Sequence, residues 1–253
     1  MTHPVQPGAE PFSADGGPDG VLVLHGFTGN PHSLRGLAEA FAAAGHAVEL
    51  PLLPGHGTAV EDMLPTRWTD WSATAEEAYA RLARRSRRVA VAGLSMGGSL
   101  ATWLAVRHPE IVGLVVVNPM IDPPAPAFLE MLASVVASGT PVMPGIGSDI
   151  ALPDTSEGAY LGTPIEPALS FFEGLGELAP RLGEIKCPVL IFTSRQDHVV
   201  PPISSDVLAD AVAGPVERVI LERSYHVATL DYDRAEIEAT AVGWVAKVFA
   251  ANS

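Results

Sequence analysis

Residues 88–98 read Arg88-Val89-Ala90-Val91-Ala92-Gly93-Leu94-Ser95-Met96-Gly97-Gly98, and this stretch decides how the rest of the chain is read. Arg88–Ala92 is a short run of β-branched residues and alanine, the composition of a buried strand. Gly98–Ala105 has helical character. Between them lies G-x-S-x-G. A serine on a sharp strand-to-helix turn takes a strained backbone that only small neighbours permit, which accounts for Gly93 and Gly97. The turn lifts the Ser95 hydroxyl out at the C-terminal edge of a sheet, and the start of the helix sets backbone N–H groups beside it. A nucleophilic serine needs that geometry. A glycine-rich chain can produce the pentapeptide by chance; the strand–turn–helix context argues against chance.

Upstream, Val21-Leu22-Val23-Leu24 is an unbroken apolar run, as in a parallel strand covered on both faces, and it ends in His25-Gly26-Phe27-Thr28-Gly29. Gly26 lets the backbone approach a reacting carbonyl. The N–H groups of Phe27 and of Met96, the residue after the serine, are the candidate oxyanion donors. Losing one such donor costs about 3 kcal/mol in transition-state stabilisation. His25 is expected to hold the loop by hydrogen bonds.

Downstream, Pro188–Thr193 reads as a buried strand followed by Ser194-Arg195-Gln196-Asp197, and Val216–Leu221 as the next strand, followed by Ser224-Tyr225-His226. The order Ser, Asp, His differs from the two main serine-protease orders. In this reading His226 takes the proton from Ser95 and returns it to the leaving group. Asp197 fixes the imidazole tautomer and stabilises the imidazolium. His198 stands behind His226 as a base, because its side chain diverges from that of its neighbour and it precedes the histidine strand. His56 is expected to order a loop, Asp206 is a weaker acid candidate, and Asp231 and Asp233 are expected to cap or flank a C-terminal helix over 234–250.

Leu24–Asn30, Pro54-Gly55-His56-Gly57, Val91–Gly98, Arg195-Gln196-Asp197 and His226–Asp231 together resemble the small bacterial carboxylesterases and monoacylglycerol lipases of the α/β-hydrolase superfamily. The matching segments run from 24 to 231, nearly the whole chain. The resemblance implies an α/β fold with a mostly parallel sheet flanked by helices and a small inserted cap. It implies Ser95 as nucleophile, Asp197 as acid, His226 as base, and Phe27 and Met96 as oxyanion donors. It also implies a short- to medium-chain acyl ester, with monoacylglycerol a leading candidate. A thioesterase or lactonase would use the same groups, and a non-enzymatic small-molecule-binding protein of this fold is the alternative from another class. Tyr225 stands where the family often has glycine, and is expected to narrow or reshape the pocket near the base.

Composition agrees with this class. The chain has 253 residues, enough for one α/β domain. Its 47% apolar content and positive mean hydropathy mark a folded protein. A net charge of −14 works against nucleic acid or anionic lipid as partners but does not select a substrate; a small-molecule ester is what the resemblance implies. Arg81, Arg84, Arg85, Arg87 and Arg88 form the one basic run, expected at a solvated helix end. Met1–Gly20 lacks the basic and apolar regions of a signal peptide, and no apolar stretch reaches the roughly 18 residues of a membrane span. The expected location is therefore cytoplasmic. The single Cys187 excludes an intramolecular disulfide and reads as a buried structural thiol. No metal-ligand spacing or phosphate loop is present, so no cofactor or metal is expected.

One segment breaks the strand–helix rhythm. From Asp122 to Leu182 there are many prolines and glycines, no clear buried strand, and helical pieces at 127–138 and 167–175. The expected organisation is a core of 1–121 and 183–253 with a cap of 122–182. Phe128, Met131, Leu132, Phe171 and Phe172 would face the pocket or pack on the core. Asp149, Asp154 and Glu157 are expected to be solvated, with one of them available to an alcohol head group.

Overall fold

The computed structural model describes residues 2–252; Met1 and Ser253, the outer ends of the expected core, lie outside the described residues. In chain order the elements are β1 (Phe12–Ala14), β2 (Asp19–Leu24), α1 (Arg35–Ala43), β3 (Ala47–Leu50), α2 (Val60–Met63), α3 (Trp68–Ala83), β4 (Arg88–Leu94), α4 (Met96–Arg107) and β5 (Gly113–Val117). Then follow α5 (Pro126–Ala137), β6 (Val142–Pro144), β7 (Gly162–Pro164), α6 (Ile165–Leu178), β8 (Val189–Ser194), α7 (Ile203–Ala211), β9 (Val216–Leu221) and α8 (Arg234–Ala251).

The main sheet has seven strands in the order β1-β3-β2-β4-β5-β8-β9. All neighbours are parallel except β1, which pairs antiparallel with β3 at the edge. The period of two along each strand divides the core into two layers. Leu22 and Leu24 of β2 face a layer built with Trp71, Ala75 and Leu82 of α3, Leu100 and Leu104 of α4, and Leu208 of α7. Val21 and Val23 face the other, with Leu37 and Phe41 of α1 and Ile237, Trp244 and Phe249 of α8. A strand covered on both sides has no polar face, which is why its sequence reads as an unbroken apolar run.

Because β2, β4, β8 and β9 run the same way, the segments that follow them emerge at one edge of the sheet. In open α/β sheets ligands bind outside the carboxyl ends of the strands. The pairings Leu24↔Gly93 and Ser194↔Leu221 bring the ends of β2 and β4, and of β8 and β9, level with each other.

Between β5 and β8 the chain leaves the sheet. This insertion holds α5, α6 and a two-stranded antiparallel ribbon of β6 and β7, three residues each. The ribbon was not expected; strands this short carry too few residues for a period to register. The basic run is solvated at Arg81, Arg84, Arg85 and Arg87, as expected, and departs from expectation at Arg88, which is half-buried. Arg85 donates to Asp15 and Glu49 (2.7 Å each), tying the end of α3 to β3, and Arg88, the first residue of β4, grips both oxygens of Asp19 on β2 (2.7 and 2.6 Å). Cys187 is only half-buried, and desolvation pushes its thiol pKa up to about 11.

Candidate active site

Ser95 joins β4 to α4 with φ 56° and ψ −121°, a left-handed backbone that costs a non-glycine residue strain. Its N–H donates to Val117 O (3.0 Å), so the neighbouring strand holds the turn. The glycines around it are required by close approach. A Cβ on Gly93 would lie 2.1 Å from Gly97 O, and one on Gly97 would lie 1.9 Å from Leu24 O. The turn therefore packs against the end of β2, and Gly26 follows within reach. The Cβ position of Gly26 is 3.4 Å from Ser95 Cβ and 3.9 Å from Ser95 Oγ. Met96 is the first residue of α4, where N–H groups have no carbonyl a turn earlier in the helix.

Two buried histidines stand behind this loop. His25 Nε2 accepts the N–H of Leu53 (3.1 Å), so Nδ1 carries the proton and donates to Gly26 O (3.0 Å). That bond orients the Gly26–Phe27 peptide. His56 Nδ1 lies 3.0 Å from Pro54 O, and its ring meets those of His25, Phe27 and Trp71 edge-on. Burial, then the charge of His56, holds the His25 pKa well below the usual histidine value; burial lowers that of His56 to about 4. Both are neutral at pH 7 and shape the loop.

At the ends of β8 and β9, Asp197 Oδ2 lies 2.7 Å from His226 Nδ1. Asp197 Oδ1 accepts the N–H groups of Val199 and Val200 (2.8 Å each), an Asx-type turn that fixes the carboxylate. His226 is 6% exposed and Ser95 8%. His198 points elsewhere, with Nδ1 2.9 Å from Asp149 Oδ1. Asp206 pairs with Arg218 on the surface.

Ser95, Gly26, Phe27 and His226 open into one cavity of about 330 Å³. The insertion supplies much of its lining through Phe128, Ile146, Glu157, Phe171 and Phe172. Phe171 stacks on Phe27 at 6.1 Å between ring centroids and on Trp68 at 5.8 Å. Met131 is 42% exposed and is not part of that lining, while Leu132 is buried.

Several acids depart from expectation. Glu157 and Asp149 are buried rather than solvated. Desolvation pushes the Glu157 pKa up to about 7, opposed by the nearby His226, and its carboxyl makes no hydrogen bond among the described residues. Asp231 flanks α8 but gives it no side-chain cap. It accepts the N–H groups of Ala151 and Tyr225 on Oδ2 (2.7 and 2.9 Å) and of Leu152 and Tyr232 on Oδ1 (2.9 and 2.8 Å). Asp233 occupies the N-cap position of α8, but its carboxylate turns back to Arg223 and Ser224. Tyr225 lies against the His198 ring at 4.5 Å and is not part of the cavity lining.

Sequence reasoning missed Asn118. It follows β5 at φ 44°, accepts the N–H of Ser194 (2.7 Å), and donates from Nδ2 to Ser194 Oγ (2.9 Å) and His226 O (2.7 Å). One side chain thus links the two loops that carry Asp197 and His226. The available signal was the Asn118-Pro119 pair closing an apolar strand, a turn mark in a residue type that tolerates this backbone.

A sequence profile of the alpha/beta hydrolase family matches residues 21–240. The chain is 45% identical over 249 residues to a thermostable monoacylglycerol lipase of Bacillus sp. (strain H-257), with 97% of each chain covered. It is 27% identical over 228 residues to a carboxylesterase of Bacillus subtilis (strain 168), covering 89% of this chain and 91% of that one. A solved structure from work on LipS and LipT, two metagenome-derived lipolytic enzymes, superposes with a TM-score of 0.92 at 39% identity, over 96% of this chain and 100% of that one. The monoacylglycerol lipase of Paleococcus ferrophilus shares the fold, with a TM-score of 0.75 at 22% identity over 94% of this chain and 99% of that one. The chain belongs to the alpha/beta hydrolase family, in its group of small carboxylesterases and monoacylglycerol lipases.

Proposed function

We propose that this protein hydrolyses short- to medium-chain carboxylic esters, monoacylglycerol-like in form, through an acyl intermediate on Ser95. The observation that carries the reading is the His226–Asp197 contact of 2.7 Å beside a serine on a strained turn, with serine and histidine lining one cavity. His226 takes the Ser95 proton as Oγ attacks the ester carbonyl. The N–H groups of Phe27 and Met96 bind the oxyanion that develops. His226 then protonates the leaving alcohol, and water, activated by the same imidazole, releases the acid. Asp197, held by Val199 and Val200, keeps the proton on Nδ1 so that Nε2 is free to act as base.

Residues 122–182 serve as the cap. Their aromatic side chains supply apolar lining, and excluding water strengthens the oxyanion interactions. The cavity is at the small end of the usual range for ligand pockets, about 300–1,000 Å³, which favours one acyl chain over three. Glu157 offers a buried carboxyl to the hydroxyls of a polyol ester. The 45% identity to a monoacylglycerol lipase supports the same substrate class.

The test is a panel of p-nitrophenyl esters of increasing chain length, 1-monoacylglycerols, triacylglycerols, acyl thioesters and lactones, each with a Ser95→Ala control. Activity is expected to rise with chain length, by up to about 0.8 kcal/mol per buried methylene, and then to fall when the pocket is full. Preference for long triacylglycerols or for a thioester over every oxygen ester would overturn the substrate. Binding without turnover of any of them would favour the non-enzymatic reading.

A further inference from the structure

We infer that Asp149, a residue of the insertion, is a positioning residue for His226; the inference rests on the triad reading above. Asp149 is buried and its carboxylate reaches both loops that carry the pair. Oδ2 accepts the backbone N–H of His226 (3.1 Å) and of His198 (3.2 Å), the residue after Asp197. Oδ1 lies 2.9 Å from His198 Nδ1, and the Asp149 carbonyl accepts the N–H of Val227 (3.0 Å). Asp231 answers from the histidine loop by accepting the N–H groups of Ala151 and Leu152 (2.7 and 2.9 Å). Residues 149–152 are thus strapped to the histidine loop in both directions.

The consequence falls on the His226 backbone. Its N–H is held by Asp149 and its C=O by Asn118 Nδ2 (2.7 Å), so the residue is fixed from opposite sides. The ring must sit between Asp197 and Ser95, and misplacing a reacting group by about 1 Å can lower a rate about 100-fold. A residue of the insertion therefore sets the aim of a base on the core. Removing it should lower kcat and leave substrate binding alone, since Asp149 does not line the cavity.

The experiment measures kcat and KM for p-nitrophenyl butyrate with Asp149→Ala, Asp149→Glu and Asp149→Asn, alongside Ser95→Ala and His226→Ala, each well below its Tm. Asparagine keeps an acceptor oxygen at the same reach; glutamate keeps the charge but pushes the oxygens a methylene further. Asp149→Ala and Asp149→Glu are expected to lose about 10- to 100-fold in kcat with KM within about twofold, and Asp149→Asn to stay within about threefold of the parent. If Asp149→Ala does not fold, the contrast between Glu and Asn decides alone. Parental kcat in Asp149→Glu, or a rise in KM at constant kcat, with Ser95→Ala and His226→Ala inactive, would overturn this inference and leave the triad standing. Activity retained in Ser95→Ala or His226→Ala would overturn the triad reading and this inference with it.

Discussion

Glu157→Gln should make the protein more stable in mild alkali, by an amount the site itself fixes. The Glu157 carboxyl is buried in the cavity with no hydrogen-bond partner among the described residues, and desolvation raises its pKa from the ordinary 4.5 to about 7. The sign follows from linkage. The folded state holds the proton more tightly than the unfolded state, so stability is full below pH 4.5 and is lost as pH rises through 7. At 1.36 kcal/mol for each tenfold change in proton affinity, the full loss is about 3 kcal/mol, most of which falls between pH 5 and pH 9. Glutamine has nearly the same shape and does not titrate. The variant and parent should be close at pH 5 and separate by about 5 °C in Tm at pH 9. Denaturant and thermal melts of both proteins across that range make the comparison, and titrating groups that do not interact with Glu157 cancel in the difference. A gap that is constant with pH, or that opens in acid instead, would refute the buried, unpartnered carboxyl.

The two histidines behind the Gly26–Phe27 loop have the opposite sign. Burial lowers the His56 pKa from 6.5 to about 4, so its contribution to stability is lost as pH falls through that window. His56→Leu should lose about 2 kcal/mol less than the parent between pH 7 and pH 5, read by urea titration at both pH values. Gly97→Ala places a Cβ 1.9 Å from Leu24 O and should cost about 3 kcal/mol or more or prevent soluble expression. Asp197→Asn should lower kcat by about 10⁴ with the fold intact by circular dichroism, whereas Asp206→Asn, which breaks only a surface pair with Arg218, should change it by less than about threefold.

The parallel sheet was legible in the sequence because its strands are buried on both faces: Val21–Leu24, Arg88–Ala92 and Pro188–Thr193 are near-continuous apolar runs. The serine turn was legible because the glycines that permit it sit two residues away on each side. What escaped is set by contacts distant in sequence. Asn118, Asp149 and Asp231 act by accepting or donating to backbone groups of loops tens of residues away, and nothing in a local window marks a solvated acid from a buried one. Tyr225 was expected near the pocket because it adjoins His226, yet neighbouring side chains on a loop diverge and its ring packs on His198. Arg88 reads as part of a solvated helix end because its acidic partner, Asp19, lies on another strand.

In the proposed mechanism Ser95 becomes acylated and His226 drives the attack. Treating the protein with a fluorophosphonate and mapping the adduct by peptide mass spectrometry tests it directly. One equivalent of label is expected on the peptide containing Ser95, with loss of ester hydrolysis in step with labelling, slow labelling in His226→Ala and none in Ser95→Ala. Label on another residue, or hydrolysis that persists once Ser95 is fully modified, would contradict it.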